Sequence, residues 1–310
     1  MSSRCPYDVV LFDSGAMFLD LIFEGLPGMP ELGREIFAKR FTIAPGGPYN
    51  TAVALARLGL NVALVAQIGT DIFSRYLEGE IKREGVDTRH LMRVDGDDRA
   101  VTVSLSFPKD RAFVSYVDRP GLYDFPKTLL DARMTRCLFI PTMPQHPKVM
   151  DLLAKAREAG IKTALDLHLP WGSLPDPKVA RTLRAADLLL PNASEALGVS
   201  GEKNLNHALA KLGEHTDIAV KNGSRGAVGL LGGIKQAFPA LKSKVVDTTG
   251  AGDCFNAGFL SGWINGRPLR ECLARGVICG GLSVRHAGGT AGAPDSATLE
   301  NELKKLGFSL

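Results

Sequence analysis

Apolar residues recur along this chain in two distinct patterns. The first consists of short runs without alternation: V-V-L-F at 9–12, 62–68, C-L-F-I at 137–140, K-T-A-L-D-L-H from 162, D-L-L-L-P-N from 187, and 218–221. Such runs suit strands covered on both faces, as in a parallel sheet. Between them lie helix-like segments: an Ala-rich stretch stopped by Gly59, one ending near Glu84, and others from Pro147 to Ala159 and Pro177 to Ala185. Gly after the last periodic residue and Pro at the first helical one are the usual stop and start signals. The second pattern is alternation. Val101, Val103, Leu105 and Phe107 interleave with Thr102, Ser104 and Ser106, then P-K-D-R turns the chain into A-F-V-S-Y-V. That is a β-hairpin signal, and with the extended segment around 18–43 it predicts a small sheet standing off the main one. The expected fold class is α/β: one domain over 1–310, a doubly wound, mostly parallel sheet with helices on both faces, plus a small sheet from about 16–44 and 98–120.

Composition narrows the function. The chain is 45% hydrophobic, enough for a large core, and its 37 Lys and Arg against 33 Asp and Glu are spread without runs of one sign. This charge pattern argues against nucleic acid as a partner. No apolar stretch reaches the roughly 18 residues of a membrane span. The opening M-S-S-R-C-P-Y-D has no secretory apolar core, so the expected location is cytoplasmic. Cys5, Cys137, Cys254, Cys272 and Cys279 are scattered, with no C-x-x-C pair, and read as buried thiols.

The most informative stretch is V-V-D-T-T-G-A-G-D-C-F-N-A-G-F-L-S-G-W-I-N-G at 245–266. A β-branched run, a turn of Gly250, Ala251 and Gly252, and an apolar helix from Cys254 to Ile264 follow one another. A turn of this kind presents unpaired amides at a helix N-terminus, which attract anions, phosphate above all. Asp253, in the first turn, is then a carboxylate base beside an anion hole, two parts that phosphoryl transfer to a hydroxyl needs. Taken alone, the same tetrapeptide reads more often as a turn and a helix cap than as a site. G-x-x-x-x-G-K-[ST] is absent from the chain, and Phe255 stands where the dinucleotide fingerprint needs its third glycine, which argues against a nicotinamide-dependent oxidoreductase.

The full D-T-T-G-A-G-D-C-F, Asp247 to Phe255, closely resembles the second signature of the ribokinase-like sugar and nucleoside kinases, the phosphofructokinase B type. The resemblance implies an ATP- and Mg²⁺-dependent carbohydrate kinase, with Asp253 as general base and the backbone of Gly250, Ala251 and Gly252 as anion hole. It also implies that the small sheet is a lid whose apolar outer face pairs in a homodimer. Further positions carry over. Gly15 and Asp20 match G-x-x-x-x-D, whose acid binds substrate hydroxyls. A-P-G-G-P-Y-N-T, with Gly46, Gly47 and Asn50, is similar to the sugar-contacting first signature, one residue short of its usual G-G-x-x-x-N spacing. Asn192 and Glu195 match an N-x-x-E that orders waters around Mg²⁺, although a helix cap explains them too. Lys221, Gly223 and Gly226, with Thr248, Gly250, Gly252 and Gly288, fall on the nucleotide side, and the ammonium of Lys221 would approach phosphate or reach solvent. Asp247 and Thr249 are the places for a monovalent cation, K⁺. After Asp166, His168 and Pro170 replace the Asn and Arg that relatives acting on acidic sugars carry, so a neutral sugar is expected. A nucleoside substrate and a catalytically silent sugar- or nucleotide-binding regulator are the alternatives.

Overall fold

In a computed structural model, residues 5–13, 15–107, 110–118, 124–143, 146–167 and 172–309 are described. The first half runs β1 (Val9–Phe12), β2 (Leu19–Glu24), β3 (Arg40–Pro45), α1 (Pro48–Arg57), β4 (Val62–Val65), β5 (Gln67–Ile68), α2 (Ile72–Arg83), β6 (Met92–Arg93), β7 (Ala100–Ser106) and β8 (Arg111–Val117). The second runs β9 (Cys137–Ile140), α3 (Pro147–Glu158), β10 (Lys162–Leu165), α4 (Pro177–Ala185), β11 (Leu188–Leu189), α5 (Ala193–Ser200), α6 (Leu205–Gly213) and β12 (Asp217–Lys221). It ends with β13 (Ala227–Leu231), β14 (Ile234–Phe238), α7 (Ala251–Trp263), α8 (Leu269–Ser283) and α9 (Ser296–Lys305).

Eight strands form the main sheet in the order β14-β13-β12-β11-β10-β9-β1-β4. Six of them, from β4 to β12, are parallel, and β13 and β14 are antiparallel. Its faces are separated residue by residue. Val9 and Leu11 of β1 belong to one core with α1, α2, α7, α8 and α9, while Val10 and Phe12 belong to a second core with α3 to α6. Burial on both faces is why these strands read as unbroken apolar runs. The chain leaves β1 for β4 on one side and β9 on the other. That reversal opens a crevice at the carboxyl ends of the strands, where open α/β sheets bind ligands.

The alternating segments form a separate sheet in the order β3-β2-β7-β8. Asp20 of β2 lies between Ala44 and Thr102 in this register. Phe41, Phe113 and Val114 of the sheet are exposed. Among the described residues, no helix is long and apolar enough to cross a membrane.

Two sequence expectations need correction. Val245 and Val246 form no strand; they lie in an irregular, exposed stretch that bends at Val246, whose N–H donates to the Val284 carbonyl at the end of α8. Their β-branched character faces an open cleft rather than a sheet neighbour. In addition, α7 starts at Ala251 rather than Cys254, with Gly250 as its N-cap at φ 70°, so Ala251 and Gly252 are helical and Asp253 is the third helical residue. The helix is fixed by close packing on α8. A Cβ at Gly258 would fall 2.4 Å from the Arg275 carbonyl oxygen, so glycine is required for the two backbones to approach.

Candidate active site

The N-terminus of α7 is the centre of the site. Gly250 takes a left-handed conformation, and a Cβ there would lie 2.2 Å from the Gly289 carbonyl oxygen. At Gly252 the nearest atoms to such a Cβ belong to the Lys221 side chain, at 3.7–3.9 Å. The first amides of a helix have no intrahelical acceptor. Those of Gly252 and Asp253 therefore stand beside an ammonium, a cradle suited to a polyanion.

Asp253 is held from both sides. Its Oδ1 accepts the Thr51 hydroxyl at 2.8 Å, and its Oδ2 accepts the Asn50 amide at 3.4 Å. Burial pushes its carboxyl up; the Thr51 hydrogen bond opposes this, the Asp166 charge adds to it, and Lys221 and Asn50 pull it back. Asn50 is buried with its Oδ1 unpartnered, and a Cβ on Gly289 would come within 2.3 Å of that oxygen. A buried acceptor without a donor is rare in folded proteins. The shortened Gly-Gly to Asn spacing thus still delivers Asn50 to Asp253, through the sharp Gly47 N-cap of α1 at φ 63°.

Asp20 leans on the same turn. A Cβ at Gly46 would be 2.8 Å from its Oδ2, and burial pushes its carboxyl up to about 6. Asp20 also lines a cleft of about 540 Å³ between the small sheet and the 245–249 and 287–288 segments, with Arg111, Asp247, Thr248, Thr249 and Gly288 in its wall. The lining does not include Asn50 or Asp253.

Lys221 does not reach solvent. Its Nζ donates to Asp166 Oδ2 at 2.7 Å and to Asn256 Oδ1 at 3.1 Å, and Asn256 Nδ2 donates to the same Asp166 oxygen at 2.6 Å. Lys221 also bridges by backbone to Asn192, the N-cap of α5. There Asn192 Oδ1 accepts the Glu195 amide and Glu195 Oε2 accepts the Asn192 amide, a complete capping box. Both oxygen-bearing side chains consequently sit at the strand edge that carries Lys221.

Gly223 has open space around it, whereas a Cβ at Gly226 would be 2.0 Å from the Phe238 carbonyl oxygen, so glycine at 226 is required by strand packing. Gly288 donates its amide to Asp247 Oδ2 at 3.1 Å. Asp247 and Thr249 both meet the Arg111 guanidinium at 3.0 Å. His168 and Pro170 lie outside the described residues. Cys254 is buried against the Gly289 carbonyl, and burial pushes its thiol up to about 12, which suits packing rather than nucleophilic attack.

Thr51, Gly289 and Arg111 are absent from the sequence reading. The adjacency of Thr51 to Asn50 in one helical turn was the available signal for the first. The other two act through contacts between segments far apart in the chain.

The family described as pfkB family carbohydrate kinase matches residues 8–296. A fructokinase of Klebsiella pneumoniae is 29% identical over 288 residues, covering 85% of this chain and 93% of that protein. A ribokinase of Lactococcus lactis subsp. lactis is 26% identical over 96% of this chain and 97% of its own length. In three dimensions, the Arabidopsis thaliana ribokinase complexed with ribose and ATP superposes with a TM-score of 0.81 at 21% identity, over 98% of this chain and 99% of that one.

Proposed function

This chain belongs to the pfkB family of carbohydrate kinases, and from that premise we propose that it transfers the γ-phosphate of MgATP to a hydroxyl of a small neutral sugar. The observation that carries the mechanism is the Asp253 carboxylate, positioned by Thr51 and Asn50 beside the amide cradle of α7. Asp20, Asn50 and the Gly46–Gly47 turn hold the sugar. Asp253 takes the proton of its hydroxyl, and the freed oxygen attacks the γ-phosphorus in line, breaking the bond to ADP. Gly252 and Asp253 donate amides to the equatorial oxygens, whereas the Ala251 amide is held by the Thr248 carbonyl, and the Gly223 and Gly288 turns face the nucleotide. A carboxyl raised by burial is a better proton acceptor than an exposed one, because its basicity lies closer to the working pH.

Magnesium, bound with the nucleotide, supplies neutralisation of the β- and γ-phosphate charge. Asn192 and Glu195 would fit a water-mediated contact to it: both carry oxygen donors, and Asn192 bridges by backbone to Lys221, whose ammonium stands beside Gly252.

The test is ADP release with MgATP across sugars, sugar phosphates and nucleosides. Fastest turnover is expected with a neutral sugar. A nucleoside as best substrate would overturn the substrate class, and no ADP release from any compound would favour the silent regulator. The Thr51→Val variant gives a sharper expectation. The lost hydroxyl lowers kcat/KM roughly tenfold, the worth of one hydrogen bond to a charged group. Because that hydroxyl favours the ionised carboxylate, its removal raises the Asp253 pKa. The base form is present above that pKa, so the acid limb of the kcat/KM profile should move to higher pH. A profile that falls in height without moving along the pH axis would count against Asp253 as the base.

A further inference from the structure

Asp247 opens the loop that leads into the amide cradle, and all its described partners are donors. Its Oδ1 accepts the Thr249 amide at 3.0 Å, the Thr249 hydroxyl at 2.8 Å and Arg111 Nη1 at 3.0 Å. Its Oδ2 accepts the Gly288 amide at 3.1 Å. One carboxylate therefore ties the start of the 249–253 turn to the 287–288 segment. A carboxylate with only 16% of its side chain exposed needs a compensating positive charge.

That charge comes from the other sheet. Arg111 is the first residue of β8, and its Nη1 donates to both Asp247 Oδ1 and Thr249 Oγ1. Its guanidinium also lies 5.9 Å from the ring centre of Phe113, two residues along the strand, which limits the rotamers available to it. The neighbouring Arg40 is engaged elsewhere, with Nε and Nη2 donating to Glu24 at 3.1 and 2.8 Å. An alkali cation in contact with Asp247 and Thr249 would have to share that position with a fixed guanidinium, and like charges at such range repel. The donor set does not fit K⁺ while Arg111 is in place.

We infer that Arg111 is a built-in cation: from the small sheet, it performs at Asp247 and Thr249 the charge-balancing role that a monovalent ion would otherwise fill. Because β8 carries it, the same bond latches the small sheet over the cleft that Asp20 and Thr248 line. The catalytic part of this inference rests on the kinase reading; the cation part does not.

The full-length protein and its Arg111→Ala and Arg111→Lys variants are compared in alkali-free Tris chloride and in KCl of equal ionic strength. Thermal unfolding midpoints and, with the best substrate, ADP release are measured in each. The parent should show the same midpoint and rate, within about twofold, in both salts. Without K⁺, Arg111→Ala should lose roughly tenfold in rate, as for one charge-assisted hydrogen bond. In KCl it should regain most of that rate, with a midpoint raised by ligand linkage. Arg111→Lys should remain indifferent to K⁺.

K⁺ activation or stabilisation of the parent overturns the inference. So does an Arg111→Ala protein that K⁺ leaves unchanged in both rate and midpoint, whether its rate is full or impaired. If Arg111→Ala fails to fold, the parent and Arg111→Lys decide: K⁺ dependence in either one refutes it, and indifference in both supports it. If no compound is phosphorylated, the kinase reading fails, while the midpoints still judge the cation.

Discussion

Asp253→Asn is expected to reduce kcat by roughly two or more orders of magnitude, the scale of losing a general base, while the affinity for nucleotide stays nearly unchanged. The substitution is close to isosteric, so the two effects separate. The new carboxamide still offers an oxygen to the Thr51 hydroxyl, which in the parent meets Oδ1. Its NH₂ group would face Asn50, whose Oδ1 is unpartnered and buried. A turn of the Asn50 amide would bring that acceptor to the new donor, so the fold tolerates the change. The amides of α7 remain in place because Gly250, not residue 253, sets the turn. What disappears is the ability to take a proton from a hydroxyl as the phosphoryl group arrives. Steady-state ADP release gives kcat, and calorimetry with a non-hydrolysable ATP analogue gives the nucleotide Kd. An Asp253→Asn enzyme within tenfold of the parent kcat would falsify the assignment of the base.

How far this site could be read in advance depended on whether its parts are local in sequence. The cradle was legible because a G-A-G-D turn specifies backbone geometry over four residues, and Gly250 does take the φ that only glycine adopts readily. The parallel sheet was legible for a similar reason, since burial of both faces leaves unbroken apolar runs such as Val9–Phe12 and Cys137–Ile140. The role of Gly289 was not. Its smallness is demanded by Asn50 from the other side of the site, and no periodicity along the chain records such a demand. Arg111 likewise read as the last residue of a P-K-D-R turn until the first position of β8 brought it to Asp247. Val245 and Val246 misled for the opposite reason: β-branched residues favour a pleated, half-buried surface only when a neighbouring strand supplies one, and at 245–246 none does.

Lys221 is where sequence and structure differ most in meaning, and its replacement should have the largest effect on stability. The expected cost of Lys221→Met is about 3–5 kcal/mol, the usual consequence of stranding one member of a buried ion pair. Side-chain exposures of 12% for Lys221 and 10% for Asp166 put both charges out of bulk water. Without the ammonium, Asp166 Oδ2 keeps the Asn256 amide and Oδ1 keeps the Leu167 amide, but no cation remains on the carboxylate. Removing the second charge as well should recover more than half of the loss, because Asp166→Asn in the Lys221→Met background leaves no ion to desolvate. Urea unfolding of the parent, both single variants and the double variant closes this cycle. A Lys221→Met protein within about 1 kcal/mol of the parent, the range of exposed pairs, would show that water reaches the pair freely. The expected outcome has a consequence for the site: the ammonium 3.8 Å from a Cβ position on Gly252 is anchored before any phosphate binds. Its positive field at the cradle is therefore part of the folded protein, ready for an arriving anion without side-chain reorganisation.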